Sequence, residues 1–139
     1  MMYLKCMICV RKSVKYVCNL YTIKMCVQSS YLYIPQDPCY TETFVATNHG
    51  QVLVAHAGDK SKPALLTYHD LGLNYISNFQ AFFNYPELRE VLEHFCIFHV
   101  NAPGQEEGAL PLPESFEYPT MEILAEQVLD VINHFNITK

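Results

Sequence analysis

The sequence predicts an α/β fold with a mostly parallel sheet, and three observations carry that prediction. Two short, nearly unbroken apolar runs, Ala64 to Tyr68 (ALLTY) and Cys96 to Val100 (CIFHV), have the length and content of strands buried on both faces. Segments with apolar residues at helical spacing lie between and after them. Strand, helix, strand with both strands buried calls for a parallel pairing through a right-handed crossover. The 139 residues give room for one domain with a real core. Half are hydrophobic and 17% are charged, a balance that suits a folded chain rather than a disordered one.

Taken in order, residues 1–40 stand apart. They hold Lys5, Arg11, Lys12, Lys15 and Lys24 against Asp37 alone, and five of the six cysteines (Cys6, Cys9, Cys18, Cys26, Cys39). The remainder is strongly acidic and brings the chain to a net charge of -5, which argues against a nucleic-acid partner. A secretory leader is not expected, because Arg11-Lys12 interrupts the apolar run from Cys6 to Val10. No stretch is long and apolar enough to suggest a membrane span. Cys6-x-x-Cys9 with Cys18 and Cys26 is loosely spaced for zinc and lacks turn glycines, so no metal and no cofactor are expected. The stretch is read as an atypical, irregular extension, unpacked or holding at most a weak strand around Val14 to Val27. With one cysteine beyond it, a reducing, cytoplasmic setting is expected.

The packed part is expected over residues 41–139. Thr43 to Thr47 and Gln51 to Ala57 read as strands joined by a turn at His49-Gly50, with Gly58-Asp59 ending the second. After the strand Ala64 to Tyr68, Pro86 suits a helix's first turn, and Leu88, Val91, Leu92 and Phe95 would form one buried stripe. Following Cys96 to Val100, a second helix begins behind Pro119 with Thr120 as N-cap. Its stripe is Leu124, Val128, Val131 and Phe135, with Glu122, Glu126 and Asp130 facing water.

Two loops carry the candidate site. His69, Asp70 and Gly72 follow a buried strand, where α/β-hydrolases place an oxyanion-hole loop and where glycine lets backbone approach a substrate oxygen. A plainer reading competes: His69 satisfies buried backbone and Asp70 caps Asn74 or a nearby amide. On sequence chemistry alone the plainer reading is the better supported, since H-x-x-G is a short motif. Asn101, Pro103, Gly104 and Gln105 follow the other strand, as a cleft-shaping loop or as a solvated turn. Glu106 and Glu107 are sequence neighbours pointing apart, so an acid/base pair is not expected. His69, His94, His99 and His134 are read as core or capping residues in or beside buried elements. A hydrolase needs a nucleophile on a sharp elbow, usually Gly-x-Ser-x-Gly, and none of Ser13, Ser29, Ser30, Ser61, Ser77 and Ser115 lies between spaced glycines. No catalytic residue is assigned.

From Phe44 to Lys139 the chain resembles the N-myc downstream-regulated (NDRG) family, most specifically over Leu66 to Tyr75, His99 to Ala109 and Tyr118 to Glu126. The resemblance implies a partial α/β-hydrolase fold, the N-terminal half of such a domain, without hydrolase activity. It makes His69, Asp70 and Gly72 a vestigial oxyanion loop. It implies a cytoplasmic protein acting through protein partners in signalling, differentiation, stress response and trafficking. The alternative is the N-terminal fragment of a true esterase-like hydrolase whose nucleophile lies beyond Lys139. Asn101 stands at a position where the resemblance suggests Asp. The implied strand order begins 1-2-4-3, which would leave the outer edge of Ala64 to Tyr68 unpaired and ready to self-associate. In that arrangement Val128, Val131 and Phe135 would be partly wet.

Overall fold

The computed structural model describes residues 6–11, 14–17 and 40–137. Its strands are β1 (Cys6–Arg11), β2 (Val14–Val17), β3 (Thr41–Thr47), β4 (Gly50–Ala57), β5 (Ala64–Tyr68) and β6 (Cys96–Val100). Its helices are α1 (Tyr75–Phe83), a 3-10 turn at Pro86–Leu88 running into the single turn α2 (Arg89–Leu92), and α3 (Met121–His134). The strands form one six-stranded sheet in the order β2-β1-β5-β6-β4-β3. The fold is α/β as expected, but the sheet is not mostly parallel. Only β5 and β6 pair in parallel, and the other four pairings are antiparallel. For β3 and β4 the cause is the tight turn at Asn48-His49; β4 also lies antiparallel to β6, and β1 antiparallel to β2 and β5.

Residue alternation along β5 and β6 divides the core between two faces. Ala64 and Leu66 with Cys96, Phe98 and Val100 point to one face, where Val131 of α3 is buried and Val128, Ile132 and Phe135 pack alongside. Leu65 and Ile97 point to the other, against Phe79 and Phe83 of α1. Helix α3 starts where Pro119 and Thr120 place it, the Thr120 hydroxyl accepting the amide of Ile123 at 3.4 Å. Val131 is fully buried rather than wet, because α3 lies over β3 as well as the central strands. Glu126 and Asp130 are not simply solvated either. Asp130 accepts from the Asn48 amide at 2.9 Å and Glu126 meets His49 at 2.7 Å. Gln127, buried, donates to the His49 carbonyl at 3.1 Å. Helix α3 therefore clamps the β3–β4 turn.

The other helix departs from expectation. No residue of the Pro86–Leu92 segment is buried, and Val91 is 53% exposed. The packed helix is α1, which the stripe after Pro86 had concealed. Asn74 caps it, accepting from Ser77 N at 2.8 Å, while the Ser77 hydroxyl accepts from Asn74 N at 3.0 Å. The N-terminal stretch also departs from an irregular reading where it is described. β2 falls in the range expected for a weak strand, but β1 pairs with β5 from Cys6↔Tyr68 to Val10↔Ala64. The edge of Ala64–Tyr68 is therefore covered, not unpaired, since β1 supplies the row of backbone partners the edge lacks. Cys18, Cys26, Cys39 and the rest of that stretch lie outside the described residues.

Candidate functional site

The parallel ladder aligns each residue of β5 with one thirty-two positions later, from Ala64↔Cys96 to Tyr68↔Val100. That alignment brings the two expected loops out at the same end of the sheet, and hydrogen bonds continue it with a slip of one residue. His69 Nε2 accepts the amide of Ala102 at 2.8 Å. The Gly72 amide donates to Gln105 Oε1 at 3.1 Å, and Asn74 Nδ2 donates to Glu107 Oε2 at 3.0 Å. Each of these three contacts spans thirty-three residues. Gln105 is held in turn, its Nε2 donating to the Tyr118 hydroxyl at 2.6 Å.

His69 does what the plainer sequence reading asked of it. Its Nδ1–H donates to the Asp70 carbonyl at 2.9 Å, so Nε2 is left as the acceptor for Ala102 and the ring is neutral. Burial lowers its pKa, partly opposed by the carbonyl and charge of Asp70. The Asp70 carbonyl also accepts from Leu73 N at 3.1 Å, closing the turn that puts Gly72 at φ +74°. The helix cap is Asn74 rather than Asp70.

On the second loop Asn101 is fully buried and uses both ends of its carboxamide. Oδ1 accepts from Tyr75 N at 3.0 Å, anchoring the start of α1, and Nδ2 donates to the Leu53 carbonyl at 3.2 Å. Pro103 is buried beside it, and Gly104, at φ +71°, lies so close to Leu112 that a Cβ there would be 2.8 Å from its Cγ. The sequence reading brought these seven residues to two loops. It missed Tyr118 and the amide of Ala102 as their partners, and the Asn74–Glu107 bond beside them, although Asn74-x-x-Ser77 is a visible capping pattern.

Behind the loops lies a second buried imidazole. His99 is 1% exposed, meets Thr67 Oγ1 at 2.5 Å and the Tyr40 hydroxyl at 3.1 Å, and is ringed by Tyr75, Phe79 and Phe83. Burial pushes its pKa down to about 3. His94 and His134, expected with it in or beside buried elements, are exposed, because the turns that carry them end at the surface. Among the described residues, no group of three or more His, Cys, Asp or Glu is arranged to hold a metal ion. A cleft of about 350 Å³ does exist, but at the opposite end of β5 and β6, between Gly58, Lys62, Tyr85, Arg89 and Phe95.

The family model of the Ndr family matches residues 42–139, which include every residue of both loops and of the elements that carry them. The chain belongs to the Ndr family. It is 43% identical over 95 residues to Protein NDRG3 of Xenopus tropicalis, covering 67% of this chain and 24% of that protein. Protein NDL3 of Arabidopsis thaliana is 47% identical over 97 residues, 69% of this chain and 28% of the relative. Protein NDRG1 of Xenopus tropicalis is 41% identical over 104 residues, 73% and 26% respectively. The Ndr chain thus spans about a quarter of the length of the curated relatives it matches. Among the described residues, no helix is long and apolar enough to cross a membrane.

Proposed function

We propose that this Ndr-family chain is non-catalytic and acts through protein partners, in signalling, differentiation or stress response, in the cytoplasm. One observation carries the non-catalytic part. The Gly72 amide, the donor an oxyanion hole would need, is bonded to Gln105 Oε1, and both ring nitrogens of His69 are engaged by backbone. An oxyanion site works by holding donors unspent until charge develops on the substrate. Here the donor and the imidazole hold two loops together. The resemblance to other family members supports the partner-mediated and cytoplasmic parts of the reading.

The same reading makes residues 41–139 the N-terminal half of an α/β-hydrolase-like domain and residues 1–40 an added extension. In support, β3-β4-β6-β5 is the 1-2-4-3 order that such a fold begins with. The test is hydrolysis of short-chain aryl esters by the purified chain, with a rate no higher than the buffer blank expected. Turnover that survives further purification and disappears in His69→Ala would overturn the reading.

A further inference from the structure

The cleft between the β4–β5 turn and the segment ahead of β6 lies at the end of the sheet away from the His69 and Asn101 loops. Its volume of about 350 Å³ falls in the range of small-molecule sites. Hydrogen bonds tie its walls to one another. Lys62 N donates to the Asp59 carbonyl at 3.0 Å, Cys96 N to the Pro63 carbonyl at 2.9 Å, and Lys62 Nζ to the Glu93 carbonyl at 2.6 Å. Gly58 lies so near this segment that a Cβ there would be 2.8 Å from the Phe95 carbonyl oxygen. The cleft is therefore preformed, and every residue lining it falls between positions 40 and 97.

The lining joins an apolar wall to a basic rim. Leu92 and Phe95, placed by their spacing on a buried stripe, are only half-buried and instead line the cleft beside Phe83 and Tyr85. Residues 41–139 hold four cations, Lys60, Lys62, Arg89 and Lys139, against thirteen acids. Two of the four, Lys62 and Arg89, line this cleft. Arg89 enters no ion pair among the described residues, and its planar fork of donors suits a carboxylate held at two points. Glu93 is the one acid in the lining, which leaves a local balance of one positive charge. That balance matches a carboxylate better than a phosphate ester, which carries roughly two negative charges. The ring-rich wall suits a flat aromatic body.

We propose that this cleft binds a small aromatic carboxylate, its ring against Tyr85, Leu92 and Phe95 and its carboxylate on the Arg89 guanidinium.

The test titrates the full chain, by calorimetry under reducing conditions, with 2-naphthoate and with 2-naphthylmethanol, the same ring without the charge. Naphthoate should bind one to one and about tenfold more tightly than the alcohol, the ratio expected of one charge-assisted contact. Arg89→Gln should bring the acid down to the alcohol's affinity. Lys60→Gln, whose ammonium lies over Phe135 rather than in the cleft, should leave it unchanged. Amide shifts on binding should concentrate in residues 58–62 and 85–95. Absence of binding, equal affinity of acid and alcohol, an unaltered Arg89→Gln, or shifts at the His69 and Asn101 loops instead would overturn the proposal. Occupation of the cleft by a second copy would show as a dimer that Arg89→Gln dissociates, and would overturn it too. Should Arg89→Gln melt early, the shift map of the parent chain decides, shifts at the cleft supporting the proposal and shifts elsewhere refuting it.

Discussion

Acid should destabilise this protein through one buried imidazole, and the size of the effect follows from His99. In the unfolded chain a histidine titrates near pH 6.5, whereas in the folded state burial holds His99 down to about 3. Between those values the unfolded state binds a proton that the folded state refuses, so stability falls as the pH falls. The contribution is fully present above about pH 6.5 and declines by about 1.4 kcal/mol per pH unit below it. From pH 7 to 4.5 the loss is about 3 kcal/mol, a large part of the roughly 5–15 kcal/mol that holds a domain together. His69, whose pKa is also lowered by burial, pulls in the same direction. The effect of His99 alone is therefore read as a difference between two chains. Urea unfolding followed by circular dichroism from pH 7.5 to 4.5 should show the parent losing stability more steeply than His99→Gln. The substitution costs stability at pH 7.5, because the contacts with Thr67 and Tyr40 are disturbed, but the gap should narrow on acidification. Parallel curves for the two proteins, or a parent that gains stability in acid, would refute the reasoning.

Other perturbations test the loop lock and the frame around it. Asn101→Asp sets a carboxylate oxygen against the Leu53 carbonyl, 3.2 Å from the present amide nitrogen. Burial raises the pKa of such a carboxyl above its unfolded value near 3.9, so the variant should match the parent near pH 4 and fall behind it as pH rises, by about 1.4 kcal/mol per unit until the folded pKa is passed. A pH-independent difference in unfolding midpoints would count against it. Gly58→Ala should cost about 3 kcal/mol, since φ is +99° and the new Cβ would sit 2.8 Å from the Phe95 carbonyl oxygen. Gly50→Ala, at φ +102° with nothing within 4 Å, should cost only about 1 kcal/mol, and equal costs in thermal melts would contradict the steric argument. Asp130→Ala removes the acceptor of the Asn48 amide and should cost about 1 kcal/mol, with faster exchange at Asn48; unchanged exchange there would show that α3 does not hold the turn.

The central strands were legible because their sequences leave little choice. ALLTY and CIFHV are short, apolar and bounded by turn residues, and β5 and β6 occupy those stretches residue for residue. Helix α3 was legible for a similar reason: a proline, a capping threonine and a stripe all agree. Helix α1 was present in the sequence but outcompeted. Tyr75, Phe79 and Phe83 recur at helical spacing behind the Asn74-Ser77 cap, yet Pro86 offered the more familiar start signal. The stripe after Pro86 failed because the segment forms a 3-10 turn at Pro86–Leu88 and only one turn of α-helix at Arg89–Leu92, neither of which buries a residue. Burial also depends on a facing surface, which periodicity does not reveal. The parallel reading held for β5 and β6 alone, since β4 lies antiparallel to β6 and β1 antiparallel to both β5 and β2.

The partners of the candidate site were illegible for a different reason, and it bears on function. Nothing local to His69 or Gly72 points to Ala102 or Gln105. What joins them is the register of β5 on β6, fixed by core packing of Leu65, Leu66, Ile97 and Phe98, and then carried beyond the strand ends with a one-residue slip. A loop attached to its neighbour at residues 69, 72 and 74 moves only if several hydrogen bonds break together, each worth about 1 kcal/mol. The bonds between the two loops thus continue the β5–β6 pairing beyond the strand ends. Asn101, buried to the last atom, bridges Leu53 and Tyr75 and ties the second loop to both β4 and α1. The same residues that suggest an active site from sequence thus act as the junction of the sheet with its first helix.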